Sequence, residues 1–95
     1  RLIESAVGAH LANAAAGGHC ELFYWRERNR EVDFVLRTGR VVVAVEVKSG
    51  RTPEVLPGLE DFARAHQPTR SLVVGGDGIP LAEFLERPVG FWLRP

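Results

Sequence analysis

Three polar residues in two apolar runs have the types and spacing of a hydrolytic site. Asp33 lies in the run 31–37, and Glu46 and Lys48 end the run 41–48. Successive side chains of an extended strand point to opposite faces, so Glu46 and Lys48 share one face. Carboxylates on two neighbouring strands can hold Mg²⁺, and a nearby amine can orient an attacking water. This set fits the hydrolysis of a phosphodiester.

Lys48 is the only lysine, and the other eleven basic residues are arginines. A compact ammonium group differs from the planar guanidinium fork, which favours a chemical reason for lysine at this position. A general bias toward arginine with one surviving lysine is the alternative explanation. Strict alternation in 31–37 further predicts that Val32, Phe34 and Leu36 share the face opposite Asp33.

Four short segments occur in an order that resembles a known superfamily. They are Leu2-Ile3-Glu4-Ser5, Tyr24-Trp25-Arg26, Glu31-Val32-Asp33-Phe34-Val35 and Glu46-Val47-Lys48-Ser49-Gly50. Asp33 followed by Glu46-Val47-Lys48 resembles the D…ExK motif of the PD-(D/E)XK, restriction-endonuclease-like nucleases. The whole run, over roughly 1–75, is similar to the uncharacterised domain at the C-terminal end of many bacterial and archaeal AAA+-type ATPases.

The resemblance implies a role for each residue of the motif. Asp33 and Glu46 would bind Mg²⁺, or alternatively Mn²⁺, while Lys48 would position water and Glu4 would complete the acidic cluster. Glu31 is a weaker candidate on the strand of Asp33. The chain 1–95 is expected to be a single nuclease-like domain. It would be a fragment of a longer chain, with an ATPase domain preceding it and DNA as a partner.

Each of these residues also has an explanation that needs no chemistry. Asp33 fits an exposed polar strand position, although aspartate is disfavoured in strands. Glu46 and Lys48 fit an ion pair near a sheet edge. Glu4 lies in the first turn of a predicted helix, where a carboxylate stabilises the helix dipole.

Composition and motif content argue against several functional classes of protein. The formal net charge is zero, which argues against a strongly basic nucleic-acid module. No phosphate-binding G-x-x-x-x-G-K-[ST] motif occurs, so no nucleotide site is expected within this segment. The lone Cys20 cannot form an internal disulfide, and neither a signal segment nor a long apolar span is visible, which predicts a cytoplasmic protein without a membrane partner. The chain contains no Met, which is expected of a fragment.

Arginines surround the motif strands, where they could contact phosphates. They are Arg26, Arg28, Arg30, Arg37, Arg40 and Arg51. We predict nucleic-acid contacts at the first three and at Trp25, whose ring could stack on a base. Glutamates are interleaved with these arginines, so solvated loops and aromatic core packing are the alternatives. His10, His19, Cys20 and His66 lack the spacing of a zinc site.

Periodicity and turn residues predict an α/β fold. The expected elements are a helix over 1–15, strands over 21–26, 31–37 and 41–48, a loop over 49–58, a helix over 59–66, a strand over 71–75, a turn over 75–78, a short helix over 81–85 and a last strand over 89–93. The first three strands should form an antiparallel meander, and the fourth should pair in parallel through a right-handed crossover. This α-β-β-β-α-β order with flanking helices is the restriction-endonuclease-like core that the resemblance implies.

Two functions follow. In one, the domain is a Mg²⁺-dependent DNA nuclease. In the other, it is a non-catalytic DNA-binding or regulatory module of the same ATPase, or a surface at which Trp25 and the arginines dock another protein.

Overall fold

Apolar residues on both faces of consecutive strands place a sheet at the centre of the fold. The computed structural model describes residues 2–50 and 56–95. The strands are β1 (Glu21–Glu27), β2 (Arg30–Thr38), β3 (Val41–Val47) and β4 (Arg70–Val74). The sheet order is β1-β2-β3-β4, with the first three antiparallel and β4 parallel to β3. The predicted mixed sheet, with its meander and one parallel pair, is confirmed.

Helices cover both faces of this sheet. They are α1 (Leu2–Ala16), α2 (Pro57–His66), α3 (Leu81–Glu86) and α4 (Val89–Trp92). The α1-side core joins α1, α3 and α4 to one sheet face and includes Val7, Leu11, Leu36, Val43, Phe84 and Trp92. The α2-side core joins α2 to the other face and consists of Val32, Val35, Ala44, Leu59 and Phe62. No helix in the described ranges is long and apolar enough to cross a bilayer.

An irregularity in β2 changes the predicted distribution of its side chains. The register passes from Phe23 opposite Val35 to Trp25 opposite Val32, so two steps on β1 face three on β2. Such an extra residue interrupts the alternation of a strand. Phe34 packs in the α1-side core, whereas Val32 packs in the α2-side core with Val35. The prediction that Val32 shares a face with Phe34 and Leu36 is therefore wrong.

The predicted helices α2 and α3 and the turn between them are present, and one boundary is shifted. The helix begins at Pro57, two residues before the predicted start, because proline is favoured in the first helical turn. The turn over 75–78 and the helix near 81–85 are both present. Arg51 and positions 52–55 of the predicted loop lie outside the described residues.

The predicted last strand over 89–93 is wrong, since the chain forms the one-turn helix α4 there. Pro88 precedes the helix, and its extended conformation is typical of the residue that leads into a first turn. Val89, Trp92 and Leu93 are all buried, and their spacing of three and four residues fits one helical face. The Trp92 ring stacks on Phe84, with centroids 5.2 Å apart. Packing against α3 thus decides the conformation of an apolar run too short to define its own period.

Candidate functional site

The strands β2 and β3 stop pairing through their backbones at the two predicted carboxylates. The ladder runs from Thr38 opposite Val41 down to Phe34 opposite Val45. Beyond it, the Asp33 N–H donates to Glu46 Oε1 at 3.3 Å, and the Val47 N–H donates to Asp33 Oδ2 at 2.7 Å. Each carboxylate thus satisfies a backbone donor that a regular ladder would pair with a carbonyl. This exchange brings the side chains of Asp33 and Glu46 together between separating strands.

Lys48 joins this pair directly after the end of β3. Its Nζ lies 3.4 Å from Glu46 Oε2, and both side chains are largely shielded from solvent. The Lys48 N–H donates to the Val74 carbonyl at 2.9 Å, which extends the parallel pairing by one residue. Gly75 follows with a φ of +86°, and a Cβ built there would lie 2.1 Å from the Lys48 carbonyl oxygen. Only glycine fits this close approach, so the backbone of β4 fixes the position of the lysine.

Glu4 approaches the same site from the first turn of α1. Its charge is close enough to raise the pKa of Asp33. The glutamate lines a cavity of about 430 Å³ together with Val47 and Lys48, and a second one of about 230 Å³ together with Asp33. The predicted third acid therefore lies at the same site and lines both of these cavities.

Burial and mutual repulsion set the protonation of the two central acids. Desolvation raises the pKa of Asp33, and the charges of Glu4 and Glu31 raise it further against the hydrogen bond from Val47. Desolvation also raises the pKa of Glu46, with the charge of Asp33 next in size. A cation placed between two such carboxylates would favour their charged forms. The electrostatics of the site therefore favour binding of a cation.

The donor set fits Mg²⁺ in its usual protein environment. Asp33 and Glu46 supply hard oxygen ligands, and Mg²⁺ is commonly held by one or two carboxylates while it keeps several waters. Within residues 2–50 and 56–95, no group of three or more His, Cys, Asp or Glu side chains is arranged to hold a metal ion. The two carboxylates of Asp33 and Glu46 are accordingly the candidate ligands, and Glu4 is placed to act on Asp33 through its charge.

The predicted nucleic-acid contacts form a second group beside the site. Trp25 lines the cavity that contains Glu4 and Asp33, together with Arg26. It also lines a cavity of about 330 Å³ with Arg28 and Arg30 at the β1–β2 turn. Arg30 forms an ion pair with Asp61 at 3.0 Å, so its charge is compensated within the fold.

Some residues of the site carried no signal in the sequence. Tyr24 lines the cavity beside Asp33 and is 73% exposed, yet in the sequence it stands out only as part of the segment Tyr24-Trp25-Arg26. Gly75 was interpreted as an ordinary turn residue, and its contact with Lys48 depends on the packing of two strands distant in sequence. Asp61 resembles any polar residue of an amphipathic helix. The pairing of an exposed arginine with α2 was not visible from sequence.

Other polar candidates lie away from this site. His10 Nε2 is 3.1 Å from the Arg87 carbonyl oxygen, and its ring meets the edge of Phe84. Cys20 is buried, and desolvation raises the pKa of its thiol, which leaves it a poor nucleophile.

Comparison with known proteins assigns the chain to a family. No curated protein and no solved structure matches the chain. A family model described as a domain of unknown function, DUF4143, matches residues 1–82. The matched range contains Glu4, Asp33, Glu46, Lys48 and Gly75, so every residue of the site lies within it. By this match over most of its length, the chain belongs to the DUF4143 family.

Proposed function

We propose that the domain is a nuclease-like module that hydrolyses phosphodiesters of DNA with the help of Mg²⁺, as an accessory to an AAA+-type ATPase domain. The observation that carries the proposal is the convergence of the Asp33 and Glu46 carboxylates with the Lys48 ammonium where β2 and β3 separate. The ATPase partner rests on the similarity of the motif order, and Mn²⁺ is the alternative cation.

Asp33 and Glu46 are the residues that would hold the cation. A bound Mg²⁺ would polarise a phosphoryl oxygen and help a bound water to lose its proton. The backbone donors of Val47 and Asp33 hold the two carboxylates in place, so little rearrangement is needed. Preorganisation of this kind is what distinguishes a site from two acids that happen to be adjacent.

Lys48 supplies the only ammonium group of the chain at the edge of this pair. Its three N–H donors can orient an attacking water and stabilise negative charge that develops on the phosphoryl oxygens. Glu46 holds the lysine through Oε2 while its Oε1 accepts from Asp33. Glu4 adds negative charge beside Asp33, which strengthens the preference of the site for a cation.

The direct test compares cleavage of branched and single-stranded DNA by the parent, Glu46→Gln and Lys48→Ala, each with Mg²⁺ or Mn²⁺. We expect the two variants to lose about 10²-fold or more in rate, the usual effect of removing one electrostatic contact from a transition state. Glu60→Gln, an exposed acid of α2, is the matched control and should cleave like the parent. Equal rates in the parent and both site variants would contradict the proposal.

A non-catalytic DNA-binding or regulatory module is the second candidate. It is favoured by the Lys48–Glu46 ion pair, which already neutralises one carboxylate without a cation. This alternative expects DNA binding with no metal requirement and a shallow dependence on salt, since the net charge is zero. Tight Mg²⁺ binding by the parent that is lost in Glu46→Gln would count against it.

A further inference from the structure

Trp25 separates two cavities on the surface beside the acidic site. One, of about 230 Å³, contains Glu4 and Asp33, and the other, of about 330 Å³, lies at the turn between β1 and β2. The indole is half-buried and lines both of them. A ligand that extends from the acidic site toward the turn must therefore pass over this ring.

The ring is held in place without being covered by a stacked neighbour. Phe62 and His66 stand nearly perpendicular to it, at interplanar angles of 74° and 80° and centroid distances of 5.4 and 6.2 Å. Among the described residues, no aromatic ring lies parallel to the indole. Edge contacts fix the orientation of an aromatic ring, and the part of the indole that lines the two cavities is open to a ligand.

Each cavity also contains one arginine that lies near acidic side chains without forming an ion pair with any described residue. Arg26 lines the cavity with Asp33, and Arg28 lines the cavity at the turn. Neither forms an ion pair within residues 2–50 and 56–95, in contrast to Arg30, which pairs with Asp61. An aromatic ring with a cationic group on either side is the arrangement by which proteins hold a base and its flanking phosphates.

We propose that Trp25 is a stacking platform for an unpaired base of single-stranded DNA, with Arg26 and Arg28 contacting the phosphates on either side of it. The proposal rests on the proposed function and deepens it, because it gives the substrate class as single-stranded DNA or a single-stranded branch. In a duplex both faces of each internal base are covered by its neighbours, so such a base cannot lie on the indole. A chain of zero net charge gains little from phosphate contacts alone, and stacking supplies affinity that tolerates any sequence.

Fluorescence can isolate the proposed contact because the chain contains only two tryptophans. Trp92 is buried against Phe84, so Trp92→Phe leaves Trp25 as the sole emitter. Adding Asp33→Asn to this variant blocks cleavage during the titration. The ligands are a decathymidylate, an abasic strand of the same length and charge, the corresponding duplex and a decauridylate, each with Mg²⁺ present.

Saturable quenching by the decathymidylate, with little or none by the abasic strand or the duplex, is the expected result. Trp25→Leu, whose binding is followed by the fluorescence anisotropy of a dye-labelled decathymidylate, should weaken binding by about 5- to 150-fold, the usual loss for one stacked base. Trp25→Phe retains a smaller ring and should lose less, which separates lost stacking from misfolding. Arg28→Ala should reduce the salt slope by about one, whereas Arg40→Ala, at the β2–β3 turn, should leave it unchanged.

Equal binding of the abasic strand and the decathymidylate, or unchanged affinity in Trp25→Leu, would overturn the platform. Equal quenching by decauridylate would support stacking and extend the substrate class to RNA. The result is separable from the fate of the nuclease proposal. Quenching in the Asp33→Asn variant, with no cleavage by the protein that retains Asp33, would exclude hydrolysis and support the platform. Cleavage of duplex and single strand alike, with no quenching, would support hydrolysis and exclude the platform.

Discussion

The two halves of the β2–β3 pair satisfy their backbone N–H groups with different acceptors. From Thr38 to Phe34 the strands exchange backbone hydrogen bonds, and the apolar side chains of this stretch enter the two cores. At Asp33 and Glu46, carboxylates accept the backbone N–H groups instead. The paired half, from Thr38 to Phe34, contributes stability through buried apolar surface. The separated half, at Asp33 and Glu46, keeps two carboxylates close together, and desolvation and charge repulsion there raise the pKa values of both.

This contrast shows how a small domain can maintain an unfavourable site. Leu36 and Val43 are fully buried and pair with each other two residues before the last ladder pair, Phe34 opposite Val45, so the strands enter the site from a well-packed core. The stabilising core and the candidate site are thus separated along the same two strands. Changes in the paired half should alter unfolding, and changes in the separated half should alter binding of a cation with a smaller or opposite effect on unfolding.

The largest expected change in stability comes from the paired half. Leu36→Ala should lower the free energy of unfolding by about 2–5 kcal/mol, since it leaves a cavity in the α1-side core. Leu2→Ala is the matched control, because Leu2 is 89% exposed and its loss should change stability by less than about 0.5 kcal/mol. Urea unfolding followed by circular dichroism measures both, and similar losses in the two variants would contradict the assigned core.

A glycine pair tests how the fold positions Lys48. Gly75→Ala and Gly39→Ala both place an alanine at positive φ, which costs about 1–2 kcal/mol. Only the first also drives a methyl group into the Lys48 carbonyl, whereas no atom lies within 4 Å at Gly39. We expect Gly75→Ala to lose about 1–3 kcal/mol more than Gly39→Ala, as overpacked positions do.

The same pair of variants has a second readout at the site. Displacement of Lys48 should weaken Mg²⁺-dependent cleavage in Gly75→Ala at temperatures where the variant is still folded. Gly39→Ala should cleave like the parent under the same conditions. If both variants lost the same stability and kept full activity, β4 would not be what positions the lysine.

In the separated half, the sign of the effect on stability should reverse. The folded protein holds Asp33 with a raised pKa, so the stability due to its protonation is present below the ordinary carboxyl pKa of about 4. It is lost as the pH rises through the folded value. Asp33→Asn keeps an acceptor for the Val47 N–H but cannot ionise. We expect it to unfold at higher urea than the parent at pH 7, by up to about 1 kcal/mol.

The comparison across pH distinguishes this cause from a general benefit of the amide. The advantage of Asp33→Asn should shrink as the pH falls toward 4, where the parent carboxyl takes up its proton. Asp61→Asn is the control, because Asp61 forms ion pairs with Arg30 and Arg64 and its replacement should give no gain at pH 7. A constant advantage at every pH would show that ionisation of Asp33 is not its source.

Much of this arrangement could be anticipated from periodicity. Alternation and short turns predicted the meander, and the position of a helix between two apolar runs predicted the parallel β3–β4 pair. The pattern also placed Glu46 and Lys48 on one face, where the structure shows their ion pair. Short turns and a single crossover helix leave few ways to connect these strands, so local spacing carries the necessary information.

Features that depend on the detailed register or packing between elements could not be predicted. The extra residue in β2 is defined only by its register with β1, so Val32 was assigned to the wrong face. The run 89–93 folds as a helix because Trp92 packs on Phe84, and its own apolar residues fit either period. The close approach of Gly75 to Lys48 likewise joins positions 27 apart, which no local pattern records.

The smallest effects concern two ion pairs in different surroundings. Arg37 and Glu21 are 51% and 57% exposed, so a double-mutant cycle between them should give less than about 1 kcal/mol. Lys48 and Glu46 are 30% and 14% exposed, and the lower local dielectric should make their coupling the larger of the two. Urea unfolding of Lys48→Met, Glu46→Gln and the double variant gives this coupling, with Arg37→Met and Glu21→Gln as the matched cycle.

Addition of Mg²⁺ should then affect the two cycles differently. A cation held by Asp33 and Glu46 competes with Lys48 for the negative charge of the glutamate, so the Lys48–Glu46 coupling should fall when Mg²⁺ is present. The Arg37–Glu21 coupling should change only as much as the added ionic strength requires. If Mg²⁺ left both couplings equally unchanged, Glu46 would act as the structural partner of Lys48, and the ion pair alone would account for the separated half of the strands.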